Sequence, residues 1–175
     1  MNVPTRPRLD GTTPDVASLL KGRRMRRNRR TDWSRRLVRE TTLTADDLIW
    51  PIFVVDGTGV REPVPSMPGV ERLSVDEALK EAERGAALGI PVIALFPYTK
   101  PDLRDPAGSE ATNPENLVCR ALREIKKRVP EVGLLADVAL DPYTDHGHDG
   151  LLEHGEILND ATVARLCRQA LVQAE

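Results

Sequence analysis

Three short apolar runs, each leading into an amphipathic stretch, constrain this chain more than any other feature of its sequence. The runs are Leu48-Ile-Trp-Pro-Ile-Phe-Val-Val55, Pro91-Val-Ile-Ala-Leu-Phe96 and Val132-Gly-Leu-Leu-Ala-Asp-Val138. Strands that are apolar throughout, rather than at every second residue, are buried on both faces, as in a parallel sheet flanked by helices. Pro51 has no N–H to give a central ladder, so it is expected at the first residue of its strand. Between the runs the apolar period lengthens to that of a helix. Ser74-Val-Asp-Glu77 reads as a capping box opening a helix with Val75, Ala78, Leu79, Ala82 and Ala86 on one face, stopped near Gly89. Pro114 suits a first helical position, and Leu117, Val118, Ala121, Leu122, Ile125 and Val129 form the next apolar face. Asn159 or Asp160 caps a last helix that gathers Val163, Leu166, Cys167, Ala170 and Leu171 on one side. Prolines and glycines across residues 57–72 predict a hairpin or loop.

Strand–helix repeated three times means an α/β fold. Three parallel strands cannot close a barrel, and a (β/α)8 TIM barrel typically takes about 250 residues. The chain has 175 residues and finishes inside a helix without a capping glycine. Residues 39–175 therefore read as the first part of a longer barrel. The alternative is a small open sheet that ends on a helix. Residues 1–38 lack sustained apolar periodicity, carry Pro4, Pro7, Gly11 and Pro14, and share a run of nine arginines between Arg23 and Arg39. They read as an extended basic arm.

A net charge of −2 gives no global pull toward nucleic acid or anionic membranes. The arginine run has only Trp33 among it to stack on a base, which disfavours a nucleic-acid tail. No apolar run is long enough for a membrane span and no secretory apolar segment is present, so the cytoplasm is the expected compartment. Cys119 and Cys167 lack metal-site spacing and read as buried, reduced thiols.

The third apolar run opens onto Asp137-Val-Ala-Leu-Asp-Pro-Tyr-Thr-Asp-His-Gly-His-Asp-Gly150, with four aspartates and two histidines. Barrel enzymes carry their chemistry at the C-terminal ends of strands, and Asp137 falls there. Asp141 and Asp149 are expected to reach back over the same mouth. Crowded carboxylates raise one another's pKa until a cation or a substrate ammonium neutralises them. Hard oxygen donors suit Mg2+ rather than zinc. His146 and His148 can donate hydrogen bonds or bind a metal. The plainer reading is a solvated loop whose Asp, Pro and Gly only make turns.

The order of motifs resembles the 5-aminolevulinate dehydratase (porphobilinogen synthase) family. The resemblance runs through Arg23-Arg-Met-Arg-Arg-Asn28, Leu48–Val54, Ser66-Met-Pro-Gly-Val-Glu-Arg72, Ala94-Leu-Phe-Pro97, Gly108-Ser-Glu-Ala111, Asp137–Gly150 and Asn159-Asp-Ala-Thr-Val163. It implies condensation of two 5-aminolevulinate molecules to porphobilinogen with loss of water, a step of tetrapyrrole (heme) synthesis. Many members bind zinc through three cysteines, and the matching positions here are Ala139, Asp141 and Asp149. The chain is thus similar to a cysteine-free branch, without the zinc site, in which Mg2+ is the candidate ion. Asp137 matches an aspartate that supports proton transfer. Asp141 and Asp149 match positions that contact the second substrate's amine or a divalent ion, with His148 as a secondary ligand. The family's two Schiff-base lysines match positions beyond Glu175. None of Lys21, Lys80, Lys100, Lys126 and Lys127 matches them, so these 175 residues alone are expected to be inactive. The family also assembles as a homo-oligomer, dimers building hexamers or octamers, through the arm. An inactive fragment acting as an interaction module is the alternative. A half-barrel with bare edges is expected to aggregate or stay partly molten.

Overall fold

The computed structural model describes residues 26–175. Lys21, Arg23 and Arg24 lie outside the described residues. The chain divides into two compact units, 1–42 and 43–175.

In the first unit, a single 3-10 turn at Arg27–Arg29 precedes helix α1, Asp32–Leu37. Extended chain was the expectation here. The helix rests on local polar features that an apolar-period reading overlooks. Asp32 sits in the first turn and lies 3.6 Å from both Arg35 and Arg36, one helical turn on. The Thr31 hydroxyl donates to Ser34 Oγ at 2.9 Å, and Ser34 is the buried residue of the helix. Trp33 and Leu37 stay exposed.

The second unit is built on a five-stranded sheet. Its strands are β1 (Ile49–Val54), β2 (Arg61–Pro63), β3 (Glu71–Leu73), β4 (Val92–Pro97) and β5 (Gly133–Ala136), in the order β2-β3-β1-β4-β5. β1 pairs in parallel with both β3 and β4, β4 pairs in parallel with β5, and β2 runs antiparallel to β3. The hairpin expected from residues 57–72 thus forms and also contributes β3 to the main sheet. Helices α2 (Val75–Ala87), α3 (Leu117–Arg128) and α4 (Asn159–Ala174) follow β3, β4 and β5. A small antiparallel pair, β6 (Leu152–Glu153) and β7 (Glu156–Ile157), precedes α4.

Pro51 is the third residue of β1, not the first. Val54 O accepts from Tyr98 N on the β4 side, and Val55 N donates to Leu73 O on the β3 side. Backbone groups alternate sides along a strand, so Pro51 faces the β3 side, where pairing begins only at Phe53. No ladder bond is lost there.

The Ser74 capping box also takes another form. Ser74 Oγ accepts from Val60 N at 2.9 Å and donates to Asp76 Oδ1 at 2.6 Å, tying the start of α2 to the preceding loop. Glu77, with Glu71 and Glu81, instead surrounds the Arg61 guanidinium. At the other end, Gly89 adopts φ +78, Ile90 N donates to Gly85 O and Gly89 N to Ala86 O. That is a Schellman stop, which needs the left-handed conformation glycine takes freely. Asn116, not the region of Pro114, caps α3: its side chain accepts from Cys119 N at 2.9 Å.

The core lies between the sheet and helices α2 and α3. Ile52, Val54, Ile93 and Leu95 meet Ala78, Ala82, Val118, Ala121 and Ile125, with Trp50, Leu134 and Ala136 partly buried around them. The expected apolar faces of α2 and α3 are the buried ones. Helix α4 differs. Its buried residues are Thr162, Gln169 and Val172, whereas Val163, Cys167, Ala170 and Leu171 are exposed. The expectation of two buried thiols therefore holds for Cys119 and fails for Cys167. Among the described residues, no helix is long and apolar enough to cross a membrane.

Candidate active site

The C-terminal ends of β1, β4 and β5 carry Asp56, Tyr98–Lys100 and Asp137 onto one edge of the sheet. Leu134 and Ala136 pack toward the helices, and Val138 lines the same groove as they do. The in-out alternation therefore continues to Val138 and puts Asp137 on the opposite face with Leu135. Both are exposed there. Across the strands on that face, Phe53 pairs with Phe96, ring centroids 5.9 Å apart.

Beyond Asp137 the chain folds into a tight loop. Tyr143 N and Thr144 N both donate to Leu140 O, and Thr144 Oγ1 donates to His148 O at 2.9 Å. Asp149 returns to the start of the loop, where its Oδ1 accepts from Leu140 N at 2.6 Å. Gly150 follows because a Cβ there would lie 2.7 Å from Ile157 Cγ2. Asp141 is an exposed residue, yet partial desolvation of its carboxyl, followed by the charges of Asp149 and Asp137, pushes its pKa up. The charges of Asp149 and Asp137, the other two carboxylates singled out in the sequence, thus both reach Asp141. His148 is exposed, and its backbone N donates to His146 Nδ1 at 3.1 Å. Among the described residues, no three His, Cys, Asp or Glu side chains are grouped closely enough to hold a metal ion. Ala139 is buried.

Several residues that the sequence reading did not single out hold this loop. Gln169 Nε2 donates to Ala139 O and Gln173 Nε2 to Asp137 O, each at 3.0 Å. On the other side, Asp105 N donates to Tyr143 O and Asp145 N to Asp105 O. The Asp105 carboxylate accepts from Ser109 N and Ala107 N, which lowers its pKa with the Ser109 bond as the largest cause. A signal for Asp105 was present in the Asp-Pro-Ala-Gly-Ser109 turn sequence. For the two glutamines there was none, since their partners are carbonyls distant in sequence.

Among the described residues, Lys80, Lys100 and Lys126 are engaged in structural contacts. Lys100, the one beside a strand's C-terminal end, donates to Asp56 at 2.8 Å, and Arg120 pairs with the same carboxylate at 3.1 Å. The Asp56 bond raises the Lys100 pKa, the opposite of what an amine nucleophile needs. Lys80 pairs with Glu77, and Lys126 donates to the carbonyls of Pro130 and Val132. Lys127 lies in the exposed last turn of α3.

Parallel strands, helices packed on one face and an acidic loop at the strand ends fit part of a TIM-barrel fold. Residues 22–175 match the family model described as Delta-aminolevulinic acid dehydratase, and the chain belongs to that family. A delta-aminolevulinic acid dehydratase of Bradyrhizobium diazoefficiens is 68% identical over 152 residues, covering 87% of this chain and 43% of the relative. One from Chlamydia pneumoniae is 46% identical over 160 residues, covering 91% and 48%. In the solved structures, the enzyme of Toxoplasma gondii, in complex with the reaction product porphobilinogen, superposes with TM-score 0.80 at 44% identity. That match covers 87% of this chain and 44% of the other. The chain spans under half the length of these relatives.

Proposed function

We propose that this chain supplies one wall of a porphobilinogen synthase site, in which two 5-aminolevulinate molecules condense to porphobilinogen with loss of water. The observation that carries the reading is that Asp137 and Asp149 both lie within electrostatic reach of Asp141 just past β5. Such a cluster attracts a cationic group, and the ammonium of an aminolevulinate is one. Asp141 and Asp149 hold that amine, and Asp137, on the open face of the sheet, takes or returns a proton during condensation. His148 at the loop's exposed rim is a secondary contact.

The ketone carbons are activated elsewhere. Every lysine described here is exposed, ion-paired or bonded to carbonyls, and the family's Schiff-base lysines match positions beyond residue 175. These 175 residues alone are therefore inactive in this reading. The family's three-thiolate zinc site does not fit, since Ala139 offers no donor and Asp141 and Asp149 offer no thiolate. Mg2+ takes one or two carboxylates and keeps its waters, so Asp141 and Asp149 would hold it, where it would screen their repulsion. The arm, residues 1–38, supports a homo-oligomer; the exposed Trp33 and Leu37 of α1 favour that role. The cytoplasm is the compartment this reading implies.

The test is to incubate aminolevulinate and borohydride with the 175-residue chain and, separately, with the protein isolated at its natural length. The expected result is no adduct on any peptide of residues 1–175 in either sample. Porphobilinogen should form only with a chain that carries the Schiff-base lysines. A trapped adduct on Lys100 would overturn the assignment. A second reading, an interaction module, draws on the exposed Val163 and Leu171 of α4.

A further inference from the structure

Helix α4 buries a stripe that an amphipathic helix would normally leave to water. Thr162 and Gln169 are 7% and 0% exposed, and Gln173 is half-buried. At 3.6 residues per turn, positions 162, 169 and 173 fall within about 40° of arc and span about 16 Å of the helix axis. All three side chains bond to main-chain atoms of one segment. Thr162 Oγ1 accepts from Leu151 N at 2.9 Å, Gln169 donates to Ala139 O and Gln173 to Asp137 O.

The spacing explains the fit. Two residues of extended chain advance about 6.7 Å, and one helical turn of four residues about 6 Å. Carbonyls at positions 137 and 139 point to the same side of an extended chain. Glutamines four apart on a helix running the other way can meet both. The side-chain amides thus do for the chain beyond β5 what a neighbouring strand's N–H groups would do within it. Gln169 also keeps its Oε1 without a partner among the described residues. A buried amide oxygen left so is costly, and a methionine would fill the same space without it.

We propose that Thr162, Gln169 and Gln173 form a clamp that fixes both ends of the acidic segment and so sets the bearing of Asp137, Asp141 and Asp149. They are positioning residues, acting through the loop backbone. Their effect on turnover rests on the function proposed above, whereas their effect on the loop does not.

The experiment is amide hydrogen exchange on the protein isolated at its natural length, comparing wild type with Gln169→Met, Gln173→Met and Thr162→Val. Exchange at Leu140, Tyr143 and Thr144 should quicken by about three- to tenfold in either glutamine variant, the scale of one lost hydrogen bond. Ladder amides of β4 should keep their rates. Unchanged loop exchange in both glutamine variants would overturn the clamp. Gln173 is only half-buried, so its variant remains informative if Gln169→Met fails to fold. Turnover is measured in parallel. If wild type makes porphobilinogen, kcat should fall in the glutamine variants at matched folded fraction; an unchanged kcat and pH profile would reduce the clamp to a structural tie. If wild type makes none, the functional reading fails and the exchange result still decides the clamp.

Discussion

Helices α3 and α4 begin from similar sequence patterns and end in opposite roles. Each follows a parallel strand, and each gathers its apolar residues on one side. In α3 that side is buried, with Val118, Ala121 and Ile125 at 1%, 0% and 0% exposure against the sheet. In α4 most of that side faces outward, Val163 and Leu171 being 51% and 60% exposed while Leu166 is partly buried, and the buried side carries Thr162, Gln169 and Val172. The difference lies in what each helix meets. Helix α3 packs mainly on β1 and β4, interior strands whose backbone groups are already paired, so apolar contact is what is left to make. Helix α4 packs on a segment that has left the sheet, whose carbonyls at positions 137 and 139 accept from Gln173 and Gln169. A helix face therefore answers the unsatisfied groups opposite it as much as its own periodicity.

The largest expected effect that sharpens this contrast is in α3. Ile125→Ala should lower stability by about 2–5 kcal/mol, read from the urea midpoint of the natural-length protein, because the cavity opens in close-packed core. Gln169→Met should cost about 1 kcal/mol, a lost hydrogen bond partly offset by removing the unpartnered Oε1. A loss as large as that of Ile125→Ala would make α4 a core helix like α3 and break the comparison.

The loop aspartates give smaller effects of opposite sign. The folded state lowers the Asp105 pKa, so its contribution is present above the ordinary value of 3.8 and lost as pH falls below it. Asp105→Asn should lower the thermal midpoint at pH 7 and converge on wild type in acid. The folded state raises the Asp141 pKa above 3.8, so ionising it costs stability as pH rises through the window just above that value. Asp141→Asn should raise the midpoint at pH 7 and change nothing below pH 3.8. A lower midpoint at neutral pH would mean that a bound cation already neutralises the cluster. Smallest of all, Leu171→Ala in the 175-residue chain should stay within about 0.5 kcal/mol of wild type, as an exposed site does. A larger loss would show that its side of α4 is covered in solution.

The sequence made legible whatever depends on neighbours along the chain. The strand–helix order, the apolar faces of α2 and α3, the stop at Gly89 and the position of Asp137 past β5 were all readable that way. Elements whose partners lie far off in sequence were not. Ser74 looks like a helix cap until Val60 N takes its hydroxyl. Pro51 looks misplaced in a central strand until β3 proves too short to reach it. The Asp56 carboxylate, between Lys100 and Arg120, could not be paired from spacing alone. In α1 the misreading had another source: short-range ion pairs stand where apolar periodicity was sought.

The bonds from Gln169 and Gln173 end on carbonyl oxygens, and every amino acid has one. The backbone path from Asp137 to Ala139 can therefore persist while the side chains along it are replaced. Side chains at positions 139 and 141 can be exchanged without first rebuilding this support. Position 149 is less free, because its carboxylate also receives Leu140 N. Such an arrangement makes the shape of the segment independent of the side chains it displays.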